Sequence, residues 1–281
     1  MLIDISNNQG NIDFASLKEV VSGVIIRCGW GGDYSKQDDP KFNEYVAGCE
    51  KYGIPYGVYL YSYALNTDAA ISEAKHTLRM IAGKRITYGV WFDMEDADGY
   101  KRNHGVNPYQ NRQLLTDICK VYCEALKSAG YDAGVYANWD YWKNVLYKDQ
   151  LSEYPIWLAQ WEVSAPSMPC RIWQYTSHGT VAGIKGRVDC DIWYGDAVSV
   201  PAEKVETPAD IIPVDLPLIK KGSRGLVVKL WQLIVNVAVD GIFGPKTEQA
   251  TKDFQSRNKL VIDGIVGDQT WNKAFDIIRK V

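Results

Sequence analysis

The sequence predicts an α/β fold in two parts, an irregular TIM-like (β/α)5β3 barrel over residues 1–195 and a small all-α domain over residues 216–281. Three observations predict it. Eight strand-like apolar runs fall within the first 195 residues, and the first five are each followed by a helical pattern. That order suits a closed, parallel-rich barrel, and the shortage of helices in its last third makes it irregular. From Asp196 the composition changes: Pro201, Pro208, Pro213 and Pro217, mixed with Glu, Ala, Val and Asp, make residues 196–215 read as an extended linker. Beyond the linker an echo recurs at an offset of 23 residues. It pairs Lys229-Leu-Trp231-Gln232 with Lys252-Asp-Phe254-Gln255, and Asp240-Gly-Ile-Phe-Gly244 with Asp263-Gly-Ile-Val-Gly267. Such an echo marks two similar helix-plus-turn units packed on one another, with glycines suited to positive φ and Thr247 and Thr270 at equivalent helix starts.

Taken in order, Leu2 to Ser6 is the first strand. Asp13 then reads as an N-cap, with Phe14, Leu17, Val20 and Val21 following at helical spacing. Gly23 to Gly29 is the second strand, and Asp39-Pro40 supplies a cap and an N1 proline to a helix striped by Phe42, Val46 and Cys49 and closed by Gly53. Pro55 to Tyr61 is the third strand, and residues 68–82 are helical with Gly83 as the stop. The fourth strand carries Val90, Trp91 and Phe92 and ends on Asp93 and Glu95, followed by a polar loop from Ala97 to Gly105. Asn107-Pro108 caps a long helix with Leu115, Ile118, Cys119, Tyr122 and Leu126, which Gly130 ends. Ala133 to Ala137 is the fifth strand; Pro155 to Trp161, Cys170 to Tyr175 and Lys185 to Trp193 are the last three.

Composition narrows the chemistry. At 281 residues and 46% hydrophobic, the chain can bury one large core and a small second one. No run approaches the roughly 20 apolar residues of a membrane span, so no membrane partner is expected. The N-terminus shows no basic region, apolar stretch or cleavage site, so synthesis in the cytoplasm without a signal peptide is expected. The six cysteines have no zinc-like spacing and read as free thiols, and none of the three histidines forms a metal motif. No metal or cofactor is expected, which argues against a metallohydrolase.

Acids gather where a barrel keeps its reactive groups, at the C-terminal ends of strands. Asp4 lies near the end of the first strand, Asp93 and Glu95 on the fourth, and Asp189 and Asp191 on the last. Residues i and i+2 of a strand share a face, roughly 6–7 Å apart along it. Two carboxylates projected together from an apolar strand are costly as structure, since each is desolvated beside a like charge. They are useful as chemistry, because one acid of raised pKa beside one ionised acid is the pairing that glycosidases use. The strand alone is equally compatible with a solvated Asp/Glu loop. Arg27, Tyr59, Tyr61, Tyr136, Trp157 and Trp161 fall at comparable places, and aromatic rings can stack on sugar faces, although any one of them can equally be core.

Ile3-Asp4-Ile5-Ser6, Phe92-Asp93-Met94-Glu95, Pro155-Ile-Trp157-Leu-Ala-Gln160-Trp161, Trp173-Gln174-Tyr175 and Val188-Asp189-Cys-Asp191 occur in this order. Together they make residues 1–195 resemble a family 25 glycoside hydrolase, a lysozyme family that cleaves after N-acetylmuramic acid in peptidoglycan. The resemblance implies Glu95 as general acid/base, Asp93, Asp4 and Asp189 as the surrounding catalytic carboxylates, and net retention. Arg27 stands where many members have Lys, and Leu60 where His is frequent, so substrate contacts are expected to differ there. Residues 216–281 resemble the type 1 peptidoglycan-binding domain, a three-helix fold that attaches to the wall.

Charge divides with the parts. Residues 216–281 carry 11 Lys/Arg against 6 Asp/Glu, a net of +5, which leaves −8 on the rest of a chain whose total is −3. A basic module is drawn to an anionic wall, the more so at low salt. Nucleic acid is set aside as a partner, because no basic stripe or stacking motif accompanies the charge. The expectation is a monomeric peptidoglycan hydrolase of endolysin type, an N-acetylmuramidase released at lysis onto the bacterial cell wall. The alternatives are a wall-binding protein whose barrel lacks catalysis, and a β-N-acetylglucosaminidase on the same barrel.

Overall fold

Eight strands close into one barrel in chain order. They are β1 (Leu2–Ile5), β2 (Gly23–Trp30), β3 (Tyr56–Tyr61), β4 (Val90–Asp93), β5 (Ala133–Asn138), β6 (Ile156–Ala159), β7 (Ile172–Gly179) and β8 (Val188–Trp193). The computed structural model describes residues 1–195 and 216–278, so the linker expected over 196–215 lies outside the described residues. Strands β1 to β7 run parallel, while β8 is antiparallel to both β7 and β1. Only residues 180–187 separate β7 from β8. That is too short for the crossover of roughly a dozen residues that a parallel return needs. Asp189 is therefore placed by the start of the last strand, where the sequence pattern predicts its C-terminal end.

Helices α1 (Phe14–Lys18), α2 (Phe42–Tyr52), α3 (Thr67–Ile81), α4 (Tyr100–Asn103), α5 (Arg112–Ser128) and α6 (Trp139–Asn144) follow the first five strands. Asp13 caps α1 by accepting from the N–H groups of Ala15 and Ser16, but α1 stops at Lys18 and leaves Val20 exposed. Two expected caps do other work. Asp39 accepts from Lys41 N–H at 2.9 Å while α2 begins at Phe42, and its other oxygen serves Arg27. Asn107 closes a turn onto Tyr109 N–H, and α5 begins only at Arg112. The loop expected over 97–105 holds α4, and α6 is the helix expected after the fifth strand.

Apolar faces explain the assembly. Phe42, Tyr45, Val46 and Cys49 on α2, Ile71, Ala74 and Ile81 on α3, and Leu115, Ile118, Cys119, Tyr122 and Leu126 on α5 are all buried. Inside the barrel, Leu2, Ile25, Tyr88, Trp91, Trp157 and Ile172 form one buried cluster. Glycines make room for its large rings: a Cβ on Gly23 would stand 2.1 Å from Tyr88, and one on Gly134 2.5 Å from Trp91. Leu60 is fully buried and alternates with Tyr59 and Tyr61, which puts it on the opposite face of β3 from those two. All six cysteines are free thiols, and among the described residues no helix is long and apolar enough to cross a membrane.

The chain separates into two compact units. The second contains α7 (Leu226–Ile234), α8 (Pro245–Arg257) and α9 (Asp268–Ile278) around Val228, Trp231, Phe254 and Trp271. Its echo has a hydrogen-bonding cause. Gln232 donates to Asp240 at 2.8 Å and accepts from Gly241 N–H at 2.9 Å; Gln255 does the same with Asp263 and Gly264 at the same two distances. Each buried amide thus fastens a helix to the turn that follows it. Gly241 and Gly264 take the expected positive φ of 72° and 73°, whereas Gly244 is extended at φ −90°.

Candidate active site

The parallel strands aim their C-terminal ends at one mouth of the barrel, and β8 adds its start. In register, Asp4 on β1 sits opposite Asp189 on β8, and Tyr61 on β3 opposite Asp93 on β4. The resulting cleft has a volume of about 380 Å³. It is lined by Asp4, Asp93, Glu95 and Asp189 together with Arg27, Tyr59, Tyr61, Tyr136, Trp157 and Trp161. All ten residues singled out from sequence therefore meet in one place, and Asp191 and Leu60 do not line it. Glu95 stands just beyond the strand, since β4 ends at Asp93. A neighbouring depression of about 390 Å³ shares Arg27, Tyr61 and Ala97 with the cleft and adds Trp30, Tyr63 and Asp98.

Each charged group is held differently. Arg27 donates through Nε to Asp39 at 2.9 Å and through its terminal nitrogen to Asn7, and its guanidinium lies 5.4 Å from the Trp30 ring. Asp39 was read as a helix cap; its buried carboxylate instead fixes the direction of Arg27. Asp4 accepts from Gln174 Nε2 at 2.9 Å, and Gln174 Oε1 accepts from Tyr136 and from the indole of Trp161. Gln174 lines the cleft and was part of a recognised stretch without being singled out. Trp157 is 1% exposed and donates to Asp191 at 2.8 Å, so it forms the floor, while Trp161, 49% exposed, stands at the rim. Ile5, Ser6, Asn8, Gln9, Ala97 and Ser177 complete the lining; Asn8 and Gln9 sit in a short polar stretch without periodicity to mark them.

Burial dominates the electrostatics. It pushes the carboxyls of Asp4 and Asp93 well above the ordinary carboxylate range, helped for Asp4 by Asp191 and Asp189 and for Asp93 by Glu95. Glu95 rises from 4.5 to about 7, also through burial, against a downward pull from Lys101. Asp189 is raised by burial but relieved by His178 and Arg187, so it keeps its charge more readily than Asp4 or Asp93. Asp93 Oδ1 is buried with no hydrogen-bond partner among the described residues, an acceptor that a proton or an arriving group can satisfy.

These shifts predict an unusual stability profile. A carboxyl whose folded pKa lies above its unfolded value contributes stability at low pH that is lost as pH rises through the folded value. For Glu95 and the buried Glu73, both raised from 4.5 to about 7, the window runs between those two values. The melting temperature of the barrel should therefore fall between pH 5 and pH 8, and Glu95→Gln should flatten that fall. A Tm that rises over this interval contradicts the assignment of these carboxyls as buried and raised.

Comparison with known proteins places this geometry. Residues 3–184 match the sequence model of glycosyl hydrolases family 25, and residues 228–273 that of a peptidoglycan binding domain. An autolytic lysozyme from Clostridium acetobutylicum is 30% identical over 287 aligned positions, which cover 99% of this chain and 79% of that protein. Lysozyme M1 from Streptomyces globisporus is 26% identical over 212 positions, 71% of this chain and 69% of its own. Among solved structures, the modular autolysin LytC from Streptococcus pneumoniae, in complex with a synthetic peptidoglycan ligand, superposes with a TM-score of 0.61 at 30% identity. That match covers 69% of this chain and 46% of LytC, so this chain spans just under half of the LytC structure.

Proposed function

The chain belongs to glycosyl hydrolases family 25 and is a glycosidase, and from that membership we propose that it is a peptidoglycan hydrolase acting on the bacterial cell wall. The bond cleaved is the β-1,4 link between N-acetylmuramic acid and N-acetylglucosamine, with Glu95 as general acid/base. One observation carries the reading: Asp93 and Glu95 face Asp4 and Asp189 within a single cleft walled by tyrosine and tryptophan. Breaking the bond needs a proton on the leaving oxygen and negative charge beside the developing oxocarbenium ion. Glu95, raised to about 7, retains a proton at neutral pH to give. The neighbouring carboxylates stabilise the cation, attack it, or orient the substrate's own N-acetyl group to attack. Glu95, once deprotonated, then takes a proton from water as base, with net retention.

Incubating purified wall with the chain tests this. Clearing of the suspension with new reducing sugars and no new amino termini supports a glycosidase at work. Intact walls that sediment with the protein favour the wall-binding alternative, and new amino termini point to an amidase or peptidase. Within the cleft, Asp189→Asn should lower turnover at least tenfold more than Asp191→Asn, because Asp189 lines the cleft and Asp191 does not. The reverse ranking, measured on soluble glycan fragments, overturns that placement.

The domain division belongs to the same proposal: residues 1–195 cut, 196–215 link and 216–281 hold the wall. Two self-contained cores favour it. A chain ending near residue 200 should keep its activity on soluble fragments and lose most of its activity on whole walls. The anchor raises local concentration without touching the scissile bond. Equal sedimentation of full-length and shortened protein with walls would assign the affinity to the cleft instead.

A further inference from the structure

Behind the cleft lies a buried ammonium. Lys101, on α4, is 1% exposed although its segment has the polar composition of a loop. Asp96 builds this arrangement, accepting from Lys101 N–H at 2.6 Å and from Arg102 Nε at 3.0 Å. The Lys101 Nζ donates to Ser62 O and, at 2.8 Å, to Glu95 O. Ser62 donates its N–H to Asp93 O at 3.0 Å and its hydroxyl to Glu73 at 2.9 Å. One ammonium thus joins the loop after β3 to the segment carrying both acids. Two backbone carbonyls need only neutral donors, and burying a full charge is costly unless it is paired. Glu73, itself 1% exposed, supplies an opposite charge from α3.

We propose that Lys101 is a positioning residue whose buried charge, balanced by Glu73, sets the protonation of the Asp93–Glu95 pair. The role rests on the reading of Glu95 as the acid. The charged and titratable groups facing the ammonium are Glu73 from α3, Asp93 from β4, Glu95, Asp96 and Asp98 from the following loop, and Cys119 from α5. The direction of its influence follows from Coulomb attraction. The ammonium favours the ionised forms of Asp93 and Glu95 and so opposes the effect of burial on both. Without it both acids hold their protons to higher pH, and the whole bell of activity against pH moves up. Without Glu73 the buried ammonium loses its counter-charge and gives up its proton more readily, so the bell again moves up.

Lys101→Gln tests this, because glutamine can still donate to one carbonyl while removing the charge. The measurement is kcat against pH on soluble glycan fragments, paired with a carbon-13 titration of the glutamate side chains in which Glu95→Gln identifies the Glu95 signal. In Lys101→Gln the alkaline limb and the Glu95 titration should both rise by about one pH unit, the low end of what an adjacent opposite charge produces. KM should change little. Glu73→Gln should shift both the same way by a smaller amount. A folded Lys101→Gln protein with limbs and Glu95 titration at the parent positions overturns the proposal. Should Lys101→Gln fail to fold, Glu73→Gln decides alone, and a limb that stays or falls overturns it. An active Glu95→Gln protein would instead sink the acid assignment, while the Glu95 titration in Lys101→Gln still reads the influence of Lys101.

Discussion

Glu95→Gln is expected to lower turnover by about 10²–10⁴-fold, the range a positioned general acid contributes, with fold and wall binding unchanged. The amide is nearly isosteric with the acid but has no proton to give the leaving oxygen. It also removes a carboxyl that burial has raised to about 7, so the variant should melt higher than the parent at pH 8. Loss of activity with a gain in stability separates a chemical role from a structural one. Purified Glu95→Gln protein that clears walls within tenfold of the parent rate would remove Glu95 from the role of acid.

Asp93→Asn is expected to be the next most damaging change, at about 10²–10³-fold in kcat, the scale seen when one preorganised electrostatic group is lost at a reacting centre. Asp93 is buried, lies at the end of β4, and has one oxygen with no partner among the described residues. Asparagine keeps the shape but cannot ionise, whereas the Asp93 carboxyl, although raised by burial, is drawn toward its charged form by Lys101, Arg27 and the developing cation. Because the substitution also relieves like-charge crowding with Glu95, the protein should remain folded. A Tm at or above the parent value with KM little changed supports this. An Asp93→Asn enzyme with near-parent kcat would place the essential anion elsewhere, with Asp189 the first candidate.

Most of the barrel is legible in the sequence because apolar periodicity reports which face a strand or helix buries. Strands such as Val90–Asp93 and helices such as that carrying Leu115, Ile118 and Tyr122 declare themselves in this way. Periodicity says nothing of strand direction, so the reversal of β8 was hidden. Register pairing then showed that Asp189, not Asp191, stands opposite Asp4. Asp39-Pro40 reads as a helix start because a cap and a turn use the same residue types; only the fold reveals that the carboxylate is committed to Arg27. Lys101 was missed for a related reason. A lysine among Asp, Gly, Tyr, Arg and Asn carries no local sign of burial, and its partners Ser62 and Glu73 are distant in sequence. Six of the ten cleft residues lie in short, ordered motifs, and Arg27, Tyr59, Tyr61 and Tyr136 are legible from their places near strand ends.

The central claim, cleavage on the muramic acid side, is tested most directly by identifying the sugar at each new reducing end. Walls digested with the parent protein are reduced with borohydride, and the released fragments are analysed by mass spectrometry beside a Glu95→Gln control. The expected products carry reduced N-acetylmuramic acid at their ends in the parent digest and are absent from the control. Reduced N-acetylglucosamine at those ends would contradict the claim and make the enzyme a glucosaminidase on the same barrel.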